Sequence, residues 1–234
     1  FLRKIVLGLC FVLCFAPLPL YAATAFDHSL WDAFLKKNVN LQGEVNYAAV
    51  AKDPKDLQAY FDLLTAVPEL TRQSWPREEQ LAFWLNAYHA MLIRLVIEHY
   101  PVASVQRIPS FWDMAEFHPS GKIQGAEACS LNDIRVKKLI GFFHNEKIHF
   151  ALSFASESGP KLMPEAFTGP KVEGQLFLLT RRFVNDPLQV GITLGGKKIY
   201  LSKVFKWYGQ DFKLDFGTPE PLGKFSVVDT AVLS

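Results

Sequence analysis

The sequence predicts a single α+β domain: an N-terminal helical half built on a long buried central helix, and a C-terminal half with a small mixed or antiparallel sheet and further helices. Three observations carry this reading. Apolar residues recur at helical spacing as far as Tyr100. From Val102 the texture changes to short segments punctuated by glycine and proline. No internal repeat or low-complexity linker divides the chain.

Residues 1–25 read as a signal peptide and stand outside the fold, with the domain over 26–212 and a tail over 213–234. Arg3 and Lys4 precede an apolar run from Ile5 to Ala16, followed by Pro17, Pro19 and the small residues Ala22, Ala23 and Ala25. That run is about 12 residues, where a membrane-spanning helix needs about 20. A cleaved leader is therefore expected, with a periplasmic or secreted protein and no stable membrane span after cleavage. Without Arg3 and Lys4 the chain carries 23 basic and 23 acidic residues. Its lysines gather only in short pairs such as Lys36-Lys37 and Lys137-Lys138, so no nucleic-acid partner is implied. Cys10 and Cys14 leave with the leader, and Cys129, with no cationic residue beside it in sequence, reads as a small buried hydrophobe. Stability then rests on an apolar core, which a chain that is 50% hydrophobic with 20 Phe can supply as one domain.

The elements follow in order. A first helix is expected over Phe26 to Lys37, and a turn into a short extended piece over Leu41 to Tyr47. A second helix over Pro54 to Ala66 carries Leu57, Tyr60, Phe61 and Leu64 on one face and is stopped by Pro68. Ser74, Pro76, Glu78 and Glu79 supply the start chemistry of the longest helix, about Glu78 to Tyr100. Leu81, Trp84, Leu85, Tyr88, Leu92, Leu95 and Val96 form its stripe, and Phe83, Ala87, Ala90, Met91, Ile93 and Ile97 widen it until little polar surface remains, as expected of a buried central helix. Lys122 to Gln124 and Glu127 to Cys129 flank Gly125 as a hairpin. Ser130-Leu131-Asn132-Asp133 resembles a capping box opening a helix to about Gly141. Ile148 to Phe154 reads as a buried strand. Gly169-Pro170 opens a helix with the stripe Val172, Leu176, Leu179 and Phe183. A hairpin turns at Gly195-Gly196 between Leu188 to Leu194 and Lys197 to Leu201. Ser202 caps a last short helix, Lys203 to Tyr208, which Gly209 ends.

The candidate site lies where the Ile148 to Phe154 strand meets the loop Ala155-Ser156-Glu157-Ser158-Gly159-Pro160. Small residues there let other groups approach the backbone, and a polar loop at the end of a buried strand is a common place for chemistry. On a strand His149 and Ser153 share a face but stand roughly 13 Å apart, too far to act together. Candidate catalytic residues are Ser153, Ser156 and Ser158 as nucleophiles, with His89 or His149 as base. Ser158-Gly159-Pro160-Lys161 matches a Ser-x-x-Lys pattern, but Gly-Pro argues against the helix that pattern requires. The ligand-binding set comprises Asn86, His89, His149, Ser153, Ser156, Glu157, Lys203, Trp207 and Tyr208. Two bland readings stand beside these assignments. Asn86 and His89, buried on the central helix, bind loop backbone and fix the core; Trp207 and Tyr208 cap the core while Lys203 and Lys206 stay solvated. No metal or cofactor is expected, because His28, His89, His99, His118, His144 and His149 form no His-x-His or His-Glu-x-x-His pattern.

Six pieces of the chain resemble one family in its own order: Gly43 to Tyr47, Leu81 to Ala90, Glu98 to Pro101, Ser130 to Ile134, Ile148 to Leu152 and Leu201 to Gly209. Together they are similar to domain-of-unknown-function family 547, found in bacterial envelope proteins and in plant proteins. The resemblance implies no particular activity. It does imply two loop cysteines, in Asn-Cys-Ala-Ser and Ser-Cys-Pro, where this chain has Ser153-Phe154-Ala155-Ser156 and Ser158-Gly159-Pro160. The family also tends to have Asn where His89 stands. A thiol nucleophile or a local disulfide at those positions is therefore excluded. The expectation is an exported protein that binds a small ligand, an envelope fragment or a protein partner without thiol catalysis. The competing expectation is an envelope hydrolase or acyltransferase using a serine of residues 153–158.

Overall fold

The computed structural model describes residues 25–119, 128–192 and 199–212, with the backbone of Phe225–Val227. The expected leader, the hairpin about Gly125, the Gly195-Gly196 turn and most of the tail lie outside the described residues. Helices α1 (Ser29–Asn38), α2 (Tyr47–Lys52), α3 (Lys55–Ala66) and α4 (Glu69–Gln73) precede the central α5 (Arg77–Glu98), against which α2 and α3 pack, with α1 on α2 and α3. The chain continues through α6 (Leu131–Asp133), a π-helical stretch Ile134–Ile140, α7 (Gly141–Phe143), α8 (Ile148–Ala151) and α9 (Val172–Val184). Strands β1 (Val190–Ile192) and β2 (Ile199–Leu201) follow, then α10 (Lys203–Trp207) and the short strand β3 (Phe225–Val227). The architecture is α+β in one domain.

The central helix forms for the reasons its sequence gives. Glu78 and Glu79 occupy the first turn after Pro76, where carboxylates favour the helix dipole. Every residue from Leu81 to Ile93 is buried, so the helix has no solvent face along that length. By length and composition it is apolar enough to cross a membrane, yet 83% of its apolar window is buried inside the protein, against α2, α3, α9 and the π-helical stretch. Two short helices, α2 and α4, have no counterpart in the sequence reading. Gly43, with φ of 83°, makes the turn between α1 and α2, and a Cβ there would come within 2.6 Å of the Leu162 carbonyl.

The capping box at Ser130 is present: its hydroxyl accepts from the Asp133 N–H, and the Asp133 carboxylate accepts from the Ser130 N–H. The stripe of α9 and the Ser202 cap of α10 are as the spacing predicts. β1 and β2 pair antiparallel in a register centred between positions 195 and 196, where the turn is expected. β3 adds to β2 in parallel, making the small sheet mixed. Cys129 is buried as expected, although Arg72 lies near it in space.

One expectation fails. Ile148–Phe154 is not a strand: Ile148–Ala151 forms the single helical turn α8, and the chain becomes extended only at Leu152. All four residues of α8 are buried, packed partly against α9. A helical turn enclosed on every side needs no polar face, so a short apolar run of this kind carries no period that separates it from a buried strand. The strand spacing between His149 and Ser153 goes with it. Below α8 lies a second, smaller core of Phe150, Phe183 and Val204, against which Phe154, Phe205, Tyr208 and Phe212 pack.

Candidate functional site

Two polar arrangements meet around the segment that follows α8. The inner one is attached to α5. Asn86 donates to the Phe167 carbonyl at 2.8 Å and accepts from the Phe167 N–H at 3.0 Å. One turn on, His89 Nε2 accepts from the Ser153 N–H at 3.3 Å, and its ring stacks on Phe167. Burial holds the His89 imidazole down at about 4, against the opposing effect of the Leu85 and Ala151 carbonyls. It is therefore neutral at pH 7. Tyr88 donates to the Ser153 carbonyl at 3.0 Å, so α5 grips this loop by both its N–H and its C=O.

The outer arrangement is assembled from distant parts of the chain. His149 Nε2 lies 2.8 Å from an Asp211 carboxylate oxygen, and its ring stacks on Tyr208 at 3.9 Å between centroids. An ionised carboxylate only accepts, so Nε2 carries the proton and Nδ1 is the basic nitrogen. Burial lowers the His149 pKa and outweighs the raising effect of Asp211. Arg135, in the π-helical stretch, donates to the Tyr208 hydroxyl at 2.9 Å and to the Asn132 amide oxygen at 2.8 Å. Asn132 in turn donates to Asp113 at 2.7 Å. Stretches of π-helix are rare and concentrate at functional sites. Burial and Asp211 push the Tyr208 hydroxyl above its ordinary pKa, while Arg135 opposes them.

Beside this network run three aromatic rings set edge to face. Trp112 meets Phe154 at 6.2 Å and 85°, and Phe154 meets Trp207 at 6.4 Å and 75°. Trp207 is 59% exposed. The backbone beside two of these rings is strained: Ser110, two residues before Trp112, has φ of 55°, and Ala155, next to Phe154, has φ of 51°. A non-glycine residue in the left-handed region costs about 1–2 kcal/mol and is held there only when the surroundings enforce it. At Ala155 the Ser153 hydroxyl accepts from the strained residue's N–H at 3.3 Å.

The structure therefore brings together His149, Trp207 and Tyr208 from the predicted set and places Asn86 and His89 beneath the loop as backbone clamps. Ser153 is half-buried between the two arrangements, its hydroxyl bonded to Ala155. Ser156 and Glu157 are exposed, and the Glu157 carbonyl accepts from Lys161. The Ser158 carbonyl accepts from Gln189 at 2.8 Å. Lys203 sits half-buried at the start of α10. A Cβ at Gly159 would stand 2.9 Å from the Ser156 hydroxyl and 3.2 Å from Phe154, so glycine is what lets the loop fold back on that ring. The six residues that sequence reasoning missed are Trp112, Asp113, Asn132, Arg135, Phe154 and Asp211. Asn132 and Arg135 belong to the capping-box helix, whose start was visible. Nothing in local spacing ties Asp211 to a histidine 62 positions earlier.

Among the described residues, no group of three or more His, Cys, Asp or Glu is arranged to hold a metal ion. Residues 72–184 match the family model described as "Protein of unknown function, DUF547". The match takes in Asn86, His89, Trp112, Arg135, His149 and the loop to Gly159, and ends before Trp207, Tyr208 and Asp211. No curated protein and no solved structure matches the chain.

Proposed function

The chain is a DUF547 domain-containing protein, from a family of unknown function, and from that premise we propose that it is an exported binding protein for a sugar-bearing envelope fragment, held on Trp112, Phe154 and Trp207. The single observation behind this reading is the aromatic row placed against a polar network, with strained backbone beside two of its rings. Sugar rings present apolar C–H faces that lie on aromatic side chains, and their hydroxyls take hydrogen bonds from flanking polar groups. Aromatic walls with a few oriented polar groups are the usual make-up of small-ligand sites. Asp113, Asn132, Tyr208 and Asp211 supply the flanking groups here. Export rests on the leader-like residues 1–25, and cell fractionation with an epitope tag at the C-terminus tests it.

Calorimetric titration of the folded protein with soluble cell-wall glycan fragments tests the binding reading. Saturable binding that weakens about 30-fold in Trp207→Ala is expected, since a central aromatic contact contributes about 2 kcal/mol. No heat with any fragment at millimolar concentration, or binding indifferent to Trp207, overturns it.

A second reading, hydrolysis or acyl transfer by a loop serine, is favoured by one observation: His149 bonded to Asp211 is the oriented base such chemistry uses. Against it, no serine hydroxyl is hydrogen-bonded to an imidazole among the described residues, and His89 Nε2 is occupied by backbone. Labelling of the wild type, but not of Ser153→Ala, Ser156→Ala or Ser158→Ala, by a serine-directed phosphonate would favour it over binding alone.

A further inference from the structure

Arg135 has an unusual electrostatic position. Its two recorded hydrogen bonds go to neutral acceptors, the Tyr208 hydroxyl and the Asn132 amide oxygen. Among the described residues no carboxylate lies within ion-pair distance of it. The acids around it are committed elsewhere: Asp133 to Lys137 at 2.8 Å and to its capping box, Asp113 to Asn132, and Asp211 to His149. A guanidinium is always charged and has five N–H donors, and a half-buried charge without a counter-ion is costly. The anchors at Nη1 and Nη2 fix its plane and leave three of its five N–H groups, a planar set of the kind that suits a two-oxygen acceptor. It also stands 5.4 Å from the centre of the Tyr208 ring, one residue on from Trp207.

We propose that Arg135 receives the carboxylate of the ligand, so that the preferred ligand is an acidic sugar, its ring on the Trp207 side and its acid group on the guanidinium. This rests on the aromatic-row reading above and narrows it. Asp113 and Asp211, exposed at the edge of the same network, disfavour densely charged polyanions and suit hydroxyl donors. The site thus selects one acid group among many hydroxyls.

The test is calorimetric titration of the folded protein at low salt with four probes: a neutral N-acetylglucosamine tetramer, the disaccharide of N-acetylglucosamine and N-acetylmuramic acid, a glucuronic-acid oligomer, and acetate. Wild type is expected to bind at least one of the two acidic sugars about tenfold or more tightly than the neutral tetramer, with acetate alone not binding. Whichever acidic probe wins identifies whether the carboxylate is carried on a lactyl ether or on the ring. Arg135→Gln should abolish that preference, the acidic probe falling to the affinity that the neutral tetramer has for the same variant. Arg135→Lys, which keeps the charge and loses the fork, should fall between, and circular dichroism with melting confirms that each variant is folded. Equal affinity for neutral and acidic sugars in wild type, or a preference that survives Arg135→Gln, overturns the Arg135 assignment and leaves the aromatic row standing. Failure of every sugar to bind removes the aromatic row itself, and the two failures are thereby distinguished.

Discussion

His89 and His149 are both buried imidazoles against the same loop segment, and the contrast between them separates a group bonded to backbone from one bonded into an open side-chain network. His89 is sealed on α5 beneath the loop, its Nε2 spent on the Ser153 N–H, and Asn86 beside it spends both amide atoms on Phe167. His149 also points its Nε2 at a partner, but that partner is Asp211, a carboxylate still 41% exposed. It belongs to a network that reaches solvent through Tyr208, Arg135 and Asn132. Burial alone does not mark a site. What a buried polar group is bonded to does, since backbone partners lock a fold while side-chain partners with an open end leave chemistry available.

The sharpest way to break this distinction is to remove the inner clamp. Asn86→Leu keeps the volume but strands the Phe167 N–H and C=O inside the core, each left unsatisfied at about 1–3 kcal/mol. A loss of about 2–5 kcal/mol is expected in urea unfolding, with ligand affinity of the folded fraction unchanged. A stable Asn86→Leu protein that has lost binding would move Asn86 into the site.

Next in size is the acid response of His89. Its folded pKa is about 4 against an ordinary 6.5, so between those values the unfolded chain binds a proton that the folded chain refuses. Stability is therefore full above about pH 6.5 and falls as pH drops toward 4, by about 3 kcal/mol in all for this residue. His28, likewise held near 4 by burial, adds a loss of the same sign. His89→Gln should flatten the stability profile between pH 6.5 and 4 by the His89 share. An unaltered profile would mean that the ring is already charged in the fold.

The sequence showed the inner arrangement more readily than the outer one, for a physical reason. A central helix declares itself through periodic apolar residues, and polar groups inside such a stripe, Asn86 and His89, stand out because they must be bonded to something. The capping box at Ser130 and the cap at Ser202 were legible because their chemistry is local. The outer network is not local: Asp113, Arg135, His149 and Asp211 come from four segments, and only folding brings them into reach. α8 hid for a different reason, as its single turn is too short to show a period and too enclosed to show a polar face. Trp207 and Tyr208 were visible as candidates, but their partners were not.

Asp211→Asn probes the outer arrangement with a smaller effect on stability. The amide oxygen of Asn can still accept from His149 Nε2, so the geometry survives while the charge goes. Because Asp211 raises the His149 pKa against burial, its loss should lower that pKa further in an NMR titration of the imidazole. The accompanying change in stability should stay under about 1 kcal/mol, as the carboxylate is substantially solvated. A His149 pKa that rises or does not move would show that the carboxylate is not what holds the imidazole's proton.

The smallest expected effect on stability is the one that most sharpens the contrast. Trp207 is 59% exposed and touches Phe154 only edge-on, so Trp207→Ala removes little buried surface and should shift unfolding by no more than about 0.5–1 kcal/mol. Its effect on glycan affinity should be far larger, about 30-fold, because the exposed face it offers is idle until a ligand covers it. Asn86→Leu and Trp207→Ala then fail in opposite ways, one losing the fold and keeping the site, the other keeping the fold and losing the site. If urea unfolding places Trp207→Ala beside Asn86→Leu, the aromatic row is core packing and the division between the two regions collapses.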